Sequence, residues 1–165
     1  MFDDPDRALT ALDESIALTR AGANDGAYGA ALSQAAAIRA RRGERLAAIE
    51  ELHEAIAHSH EVGDRLNLTA ALRRAGGIVG ELGYAHLAAV FAGITAGENF
   101  GVLMMVPLPG EEIAFNDSVD VRVREELGSP IYEAATARGA ALTTSEIVSY
   151  TLDELDRIQT ELGAS

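Results

Sequence analysis

The 165-residue sequence has no cysteine, no tryptophan and no lysine; its 13 basic residues are all arginine. Without cysteine there are no disulfides, no thiolate metal ligands and no cysteine nucleophile. Aromatic residues make up only 5 %, so alanine, leucine, isoleucine and valine must fill the core, and alanine in quantity favours helix. No apolar run approaches the roughly 18 residues of a membrane helix. The acidic start MFDDPDRALT has no apolar stretch of the kind a secretory signal needs, so a cytoplasmic setting is expected. Positive charge is scarce: the net charge is −13. Residues 1–82 hold 9 arginines against 13 acids, and residues 83–165 hold 4 against 13. Such a surface repels duplex DNA, so direct nucleic-acid binding is not expected, and the lack of a long apolar run removes a membrane partner.

What is present is helix punctuation. Asp4-Pro5-Asp6 supplies an N-cap, a proline at the first helical position and an acid in the first turn. Leu9, Leu12 and Ile16 then mark one face of a helix ended by Gly22. Asn24-Asp25 opens a second helix through Arg42, stopped by Gly43. A third spans about 44–62, with Leu46, Ile49, Leu52 and Ile56 on one face. After Gly63-Asp64 a fourth runs to Leu82-Gly83, and a fifth covers about 84–98. Features return forty residues on: Asp13-Glu14-Ser15-Ile16 as His53-Glu54-Ala55-Ile56, Gly43 as Gly83, and Leu12 as Leu52 and then Ala92. Two helices per forty residues is the signature of stacked αα-hairpins.

The second half differs in texture. GVLMMVPLPGEE (101–112) is the one run of bulky apolar residues, and it reads as a seam covering the open end of the stack, with Met104 and Met105 filling gaps. Residues 111–127 place Phe115, Val119, Val123 and Leu127 at spacings of four, which predicts helix. SVDVRVRE (118–125) also alternates like a strand, so a β-hairpin with 101–106 is the competing reading. Gly128-Ser129-Pro130 opens a short helix over 131–138. Thr143 and Glu146 form a capping box, with Leu142 and Ile147 as its staple, before a last helix to about Leu162. The expected fold is all-α. Residues 1–100 form hairpin repeats, 101–110 a linker, and 111–165 a helical cap, together one compact domain.

Chemistry is sparse. His53-Glu54-Ala55-Ile56-Ala57-His58 resembles the zinc-protease HExxH helix with one residue too many. Residues five apart on a helix diverge by about 140°, so the two histidines cannot share an ion. Glu50, Glu54, His58 and Glu61 share a face that reads as solvated. His-x-His at 58 and 60 points two ways, and His86 stands alone. Arg39, Arg41, Arg42 and Arg45 crowd the Gly43 turn, where they complement a helix C-terminus. Gly77 and Gly80 lie inside a helix and each weaken it by about 1 kcal/mol relative to alanine, which close packing would justify. No constellation for catalysis and no cofactor motif emerges.

Leu32, Ala35, Ala36, Gly43, Ala48 and Ala55, and again Leu72, Ala75, Gly76, Gly83, Ala88 and Ala96, resemble the large, small and turn positions of tetratricopeptide-type repeats. Leu52 and Ala92 replace the usual aromatics, and no proline closes the unit. The helix over 5–20 matches a second repeat helix without its first. The chain therefore reads as beginning within a repeat, with a face on which another copy can dock. The C-terminal order Pro107, Leu108, Pro109, Leu127, Gly128, Tyr132, Gly139, Leu142, Thr143, Glu146, Ile147 and Tyr150 is similar to the ends of large bacterial regulators. These join an ATPase to a helical-repeat region, often with a LuxR-type DNA-binding or a cyclase domain. Neither the ATPase nor the DNA-binding module is in this sequence. The resemblance implies a non-catalytic scaffold or sensor in bacterial signalling, for protein–protein interaction. On the repeat phase Ser33, Ala37, Arg41, Arg73 and Gly77 face the concave side, where Arg41 and Arg73 would grip an acidic, extended segment. The alternative is a small-molecule pocket lined by Phe91, Phe100, Met104, Met105, Phe115 and Tyr132.

Overall fold

A computed structural model describes residues 4–22, 25–101 and 108–165. The helices among them are α1 (Pro5–Gly22), α2 (Asp25–Arg41), α3 (Arg45–Glu61), α4 (Arg65–Glu81), α5 (Ala85–Ala96), α6 (Glu98–Gly101), α7 (Gly110–Leu127), α8 (Ser129–Ala140) and α9 (Thr144–Gly163). The described residues contain no strand. Residues 118–125 lie inside α7, so the competing hairpin over 101–125 is overturned. Alternation in SVDVRVRE loses to the longer helical stripe, and Val119 and Val123 turn inward while Val121 is exposed. The seam residues 102–107, including Met104 and Met105, lie outside the described residues.

Four successive helices begin twenty residues apart, at residues 25, 45, 65 and 85. The turns between them share one hydrogen-bond pattern. Gly43, Gly63 and Gly83 have φ of 76°, 73° and 93°. The next residue in each case donates back five positions, Glu44 to Arg39, Asp64 to Ser59 and Tyr84 to Val79. This is the Schellman cap, which satisfies the last carbonyls of the helix and requires a left-handed residue that only glycine adopts without strain. Elsewhere Asp4 Oδ1 accepts from the backbone N–H of Asp6 at 2.9 Å, as the N-cap reading expects. The capping box closes too: Glu146 accepts from the Thr143 N–H at 2.8 Å, and the Glu146 N–H points to Thr143 Oγ1 at 3.4 Å.

The chain packs as two compact units, residues 1–71 with 152–165, and residues 72–151. Chain order divides at residues 100 and 110 in the sequence reading; packing divides at 71 and 151. In the first unit, Leu9 and Leu12 of α1 pack on Ala31 and Ala35 of α2, flanked by Ile16 and Ile38. On α3, Ile49, Leu52 and Ile56 are fully buried, each contributing about 1.5–3 kcal/mol, whereas Leu46, in the first turn, is exposed. In the second unit Leu72, Ile78, Val79, Phe91, Ile94 and Phe100 form the buried centre. There α4 and α7 run parallel, because their contacts climb in step. Arg74 pairs with Glu112 at 2.8 Å, Gly77 lies beside Asn116, Gly80 beside Val119, and Arg122 reaches Glu81 at 2.6 Å.

Glycine makes this close approach possible. A Cβ on Gly77 would stand 3.1 Å from Asn116 Cγ, and one on Gly80 would stand 3.2 Å from the Ala88 Cβ. The α5–α8 crossing is tighter. A Cβ on Gly93 would lie 2.6 Å from the Thr136 carbonyl carbon, and one on Gly139 would lie 2.9 Å from the Ile94 nitrogen. Backbone meets backbone there, so no side-chain rotation can relieve an added methyl. Gly128, at φ 75° and ψ 155°, is both the last cap of α7 and the first of α8.

Candidate functional site

The second unit encloses an open-mouthed cavity of about 560 Å³. Its walls come from α4, α5, α7 and the start of α8. Phe91, Ala88 and Ala92 supply one apolar side, and Leu108, Ile113, Val119 and Val123 the other. The side chains are spaced as a helix demands: Ile113, Asn116, Asp120 and Val123 fall three or four apart on α7 and so share a face. Small residues on α4 (Gly76, Gly77) keep the space open.

Polar groups are set into this wall. Arg73 and Thr95 line it, as do Asn116, Asp117, Asp120 and Tyr132. The Asn116 amide donates to the Arg73 carbonyl at 3.3 Å, across the gap that Gly77 leaves. The Tyr132 hydroxyl donates to Asp120 Oδ1 at 2.6 Å. The Arg124 guanidinium lies 4.4 Å from the centre of the Tyr132 ring and 3.8 Å from Asp120 Oδ2. Burial raises the Tyr132 phenol pKa, and the bond to Asp120 raises it further. The phenol therefore stays a donor and holds the carboxylate in place.

Both residue sets expected from sequence contribute here. Arg73 and Gly77 of the concave-face set line the cavity, as do Phe91 and Tyr132 of the pocket set. Phe100 is fully buried and is not part of the wall. Phe115 sits half-buried behind Gly77, outside the wall. In the first unit, Ser33 is fully buried, bonded to the Ala30 carbonyl, and Ala37 is also buried, while Arg41 is exposed. The sequence reading missed Asn116, Asp117 and Asp120. Their signal was a polar interruption of an otherwise apolar stripe running from Ile113 to Val123.

The remaining candidates resolve into structure. His53 faces Asp156, 3.1 Å away, while the His58 and Tyr28 rings meet edge to face, their centres 4.9 Å apart. The two imidazoles thus point to different helices, as the spacing requires. Tyr28 donates to Glu54, and Arg20 reaches both, at 2.8 Å and 2.9 Å. Of the arginines near Gly43, Arg39 bonds three acids, Asp13 at 2.7 Å and Glu44 and Glu51 at 2.8 Å each; Arg42 pairs with Asp6 and Glu44. Burial alone would lower the Arg39 pKa; the three acids outweigh it and raise it. Among the described residues no group of histidines and acids could hold a metal ion, and no helix is long and apolar enough to cross a membrane.

Compared with known proteins, the chain matches no family model, no curated protein and no solved structure.

Proposed function

We propose that this chain is a non-catalytic helical-repeat module that senses a small molecule bound in the cavity walled by α4, α5 and α7. The observation that carries the reading is the cavity itself. It is of ordinary ligand-site size, mostly apolar, and edged by a few fixed polar groups. Repeat character is supported by the twenty-residue helix spacing and the three like turns. It is also supported by the burial of Leu32, Ala35, Ala36, Ala48, Ala55, Leu72 and Ala75, which occupy the repeat-like positions. The similarity to the helical regions of bacterial ATPase regulators makes a signalling role in the cytoplasm, coupled to a protein partner, the natural setting. Self-association through α1 belongs to the same proposal. Direct contact with nucleic acid does not, given a net charge of −13.

The test is a thermal-shift screen run on the wild type and on Ala92→Trp, which fills the cavity. A compound that binds only the folded cavity stabilises the wild type, by about 2.7 kcal/mol at a hundredfold excess over Kd, and leaves the variant unmoved. A broad screen yielding no compound with that pair of responses overturns the proposal.

A further inference from the structure

The α7 face that lines the cavity carries carboxylates at its mouth, Asp117 exposed and Asp120 partly so. Asp117 and Asp120 are three residues apart and both belong to the wall. Asp120 is held by the Tyr132 hydroxyl at 2.6 Å. Among the described residues, nothing bonds the Asp117 carboxylate. Arg124, the nearest cation to Asp120, lies against the Tyr132 ring and is not part of the wall. The wall therefore presents two acids and one arginine around an apolar interior.

Resting on the proposal that the cavity is a ligand site, we infer that its ligand is an apolar organic cation. Its hydrocarbon body packs on Phe91, Val119 and Val123, and its ammonium group lies against Asp117 and Asp120. Each part follows from charge and solvation. A neutral apolar guest would pack on the apolar wall but offer these carboxylates no counter-charge. An anion would face them directly. A cation relieves their mutual repulsion, and a protonated amine adds charge-assisted hydrogen bonds. The long-range field acts in the same direction, because residues 83–165 hold 13 acids against 4 arginines.

The test uses one hydrocarbon frame with different heads: 3,3-diphenylpropylamine, its trimethylammonium form, the matching alcohol and the matching carboxylate. Affinities are measured calorimetrically on the full chain. The amine and the trimethylammonium compound are expected to bind at least about fivefold tighter than the alcohol, the scale of one charge-assisted contact at a partly exposed site. Asp117→Asn is expected to weaken the two cations by a similar factor and leave the alcohol unchanged. Ala92→Trp is expected to abolish binding of the whole series; Ala96→Phe, at the rim, serves the same purpose should Ala92→Trp not fold. Alcohol or carboxylate binding as tightly as the amine overturns the cation inference while the cavity reading stands. Indifference of the cations to Asp117→Asn overturns the placement of the head group. Binding by no member of the series, or binding that survives the blocking variants, overturns both.

Discussion

The two packing units reach stability by different means. The first is tied together by side-chain charge. Arg39 alone joins α2 to α1, to the α2–α3 turn and to α3, and the Arg20–Tyr28–Glu54 cluster adds a second tie. The second also has charge ties, Arg74 to Glu112 and Arg122 to Glu81, but it depends more on missing side chains: Gly93 and Gly139 bring α5 and α8 backbone to backbone, while Gly77 and Gly80 let α7 side chains close on α4. Charge ties can be long and adjustable, so alanine and leucine fill the space beneath them. Glycine contacts are rigid and set helix positions closely, so a space can persist beside them. The candidate site lies in the unit built the second way.

Substitution should separate the two designs. The largest effect is expected for Gly93→Leu. The new side chain meets the Thr136 backbone, which cannot rotate aside, and the loss should reach about 3 kcal/mol or more. Denaturant unfolding measures it, and a loss below 1 kcal/mol would show that the α5–α8 contact yields. Next is Arg39→Met, which leaves Glu51 half-buried beside other acids. The loss should be about 2 kcal/mol. Adding Glu51→Gln should recover part of it, and no recovery would mean the arginine acts through its other two partners.

The same residue gives a pH signature. Burial, set against Arg39, raises the Glu51 pKa above the usual carboxylate value. The folded state then holds that proton more tightly than the unfolded state does. Its contribution to stability is present below the unfolded pKa and is lost as pH rises through the folded one. The advantage of Glu51→Gln over the wild type should therefore grow as pH is raised from the unfolded carboxylate value toward neutrality. A constant difference across that range would remove the burial argument. Glu44 has the opposite sign, since its bond to Arg39 lowers its pKa, and that contribution is lost as pH falls. The smallest effect is expected for Thr143→Ala, which opens the α9 capping box at a cost of about 1 kcal/mol, readable as a shift in midpoint without change in slope.

Helix positions were legible because their signals are local. Gly43, Gly63 and Gly83 end helices wherever the rest of the chain goes, since a left-handed residue is needed at that turn. The capping box at Thr143 and Glu146 is equally self-contained. The faces of α1 and α3 could be read from Leu9, Leu12, Ile49, Leu52 and Ile56, because 3.6-residue periodicity is a property of one helix. The exposure of Leu46 could not, because that depends on what covers a first turn. The site was half legible. Arg73, Gly77, Phe91 and Tyr132 were chosen for two unrelated reasons, and their membership of one cavity depends on α4 and α7 running side by side. Asp117 and Asp120 looked like ordinary surface acids beside the Phe115–Leu127 stripe.

By itself, then, the sequence determined the all-helical class, the ends of most helices and the exclusion of thiol chemistry. Each of these follows from residue types acting over a turn or two. The tertiary structure decided which glycines carry packing, which arginines are consumed by internal acids, and where a cavity survives. Those outcomes depend on contacts between different helices, such as Gly93 with Thr136, Asn116 with Arg73 and Arg39 with Asp13. No local propensity encodes them, because their energies exist only once two helices have met.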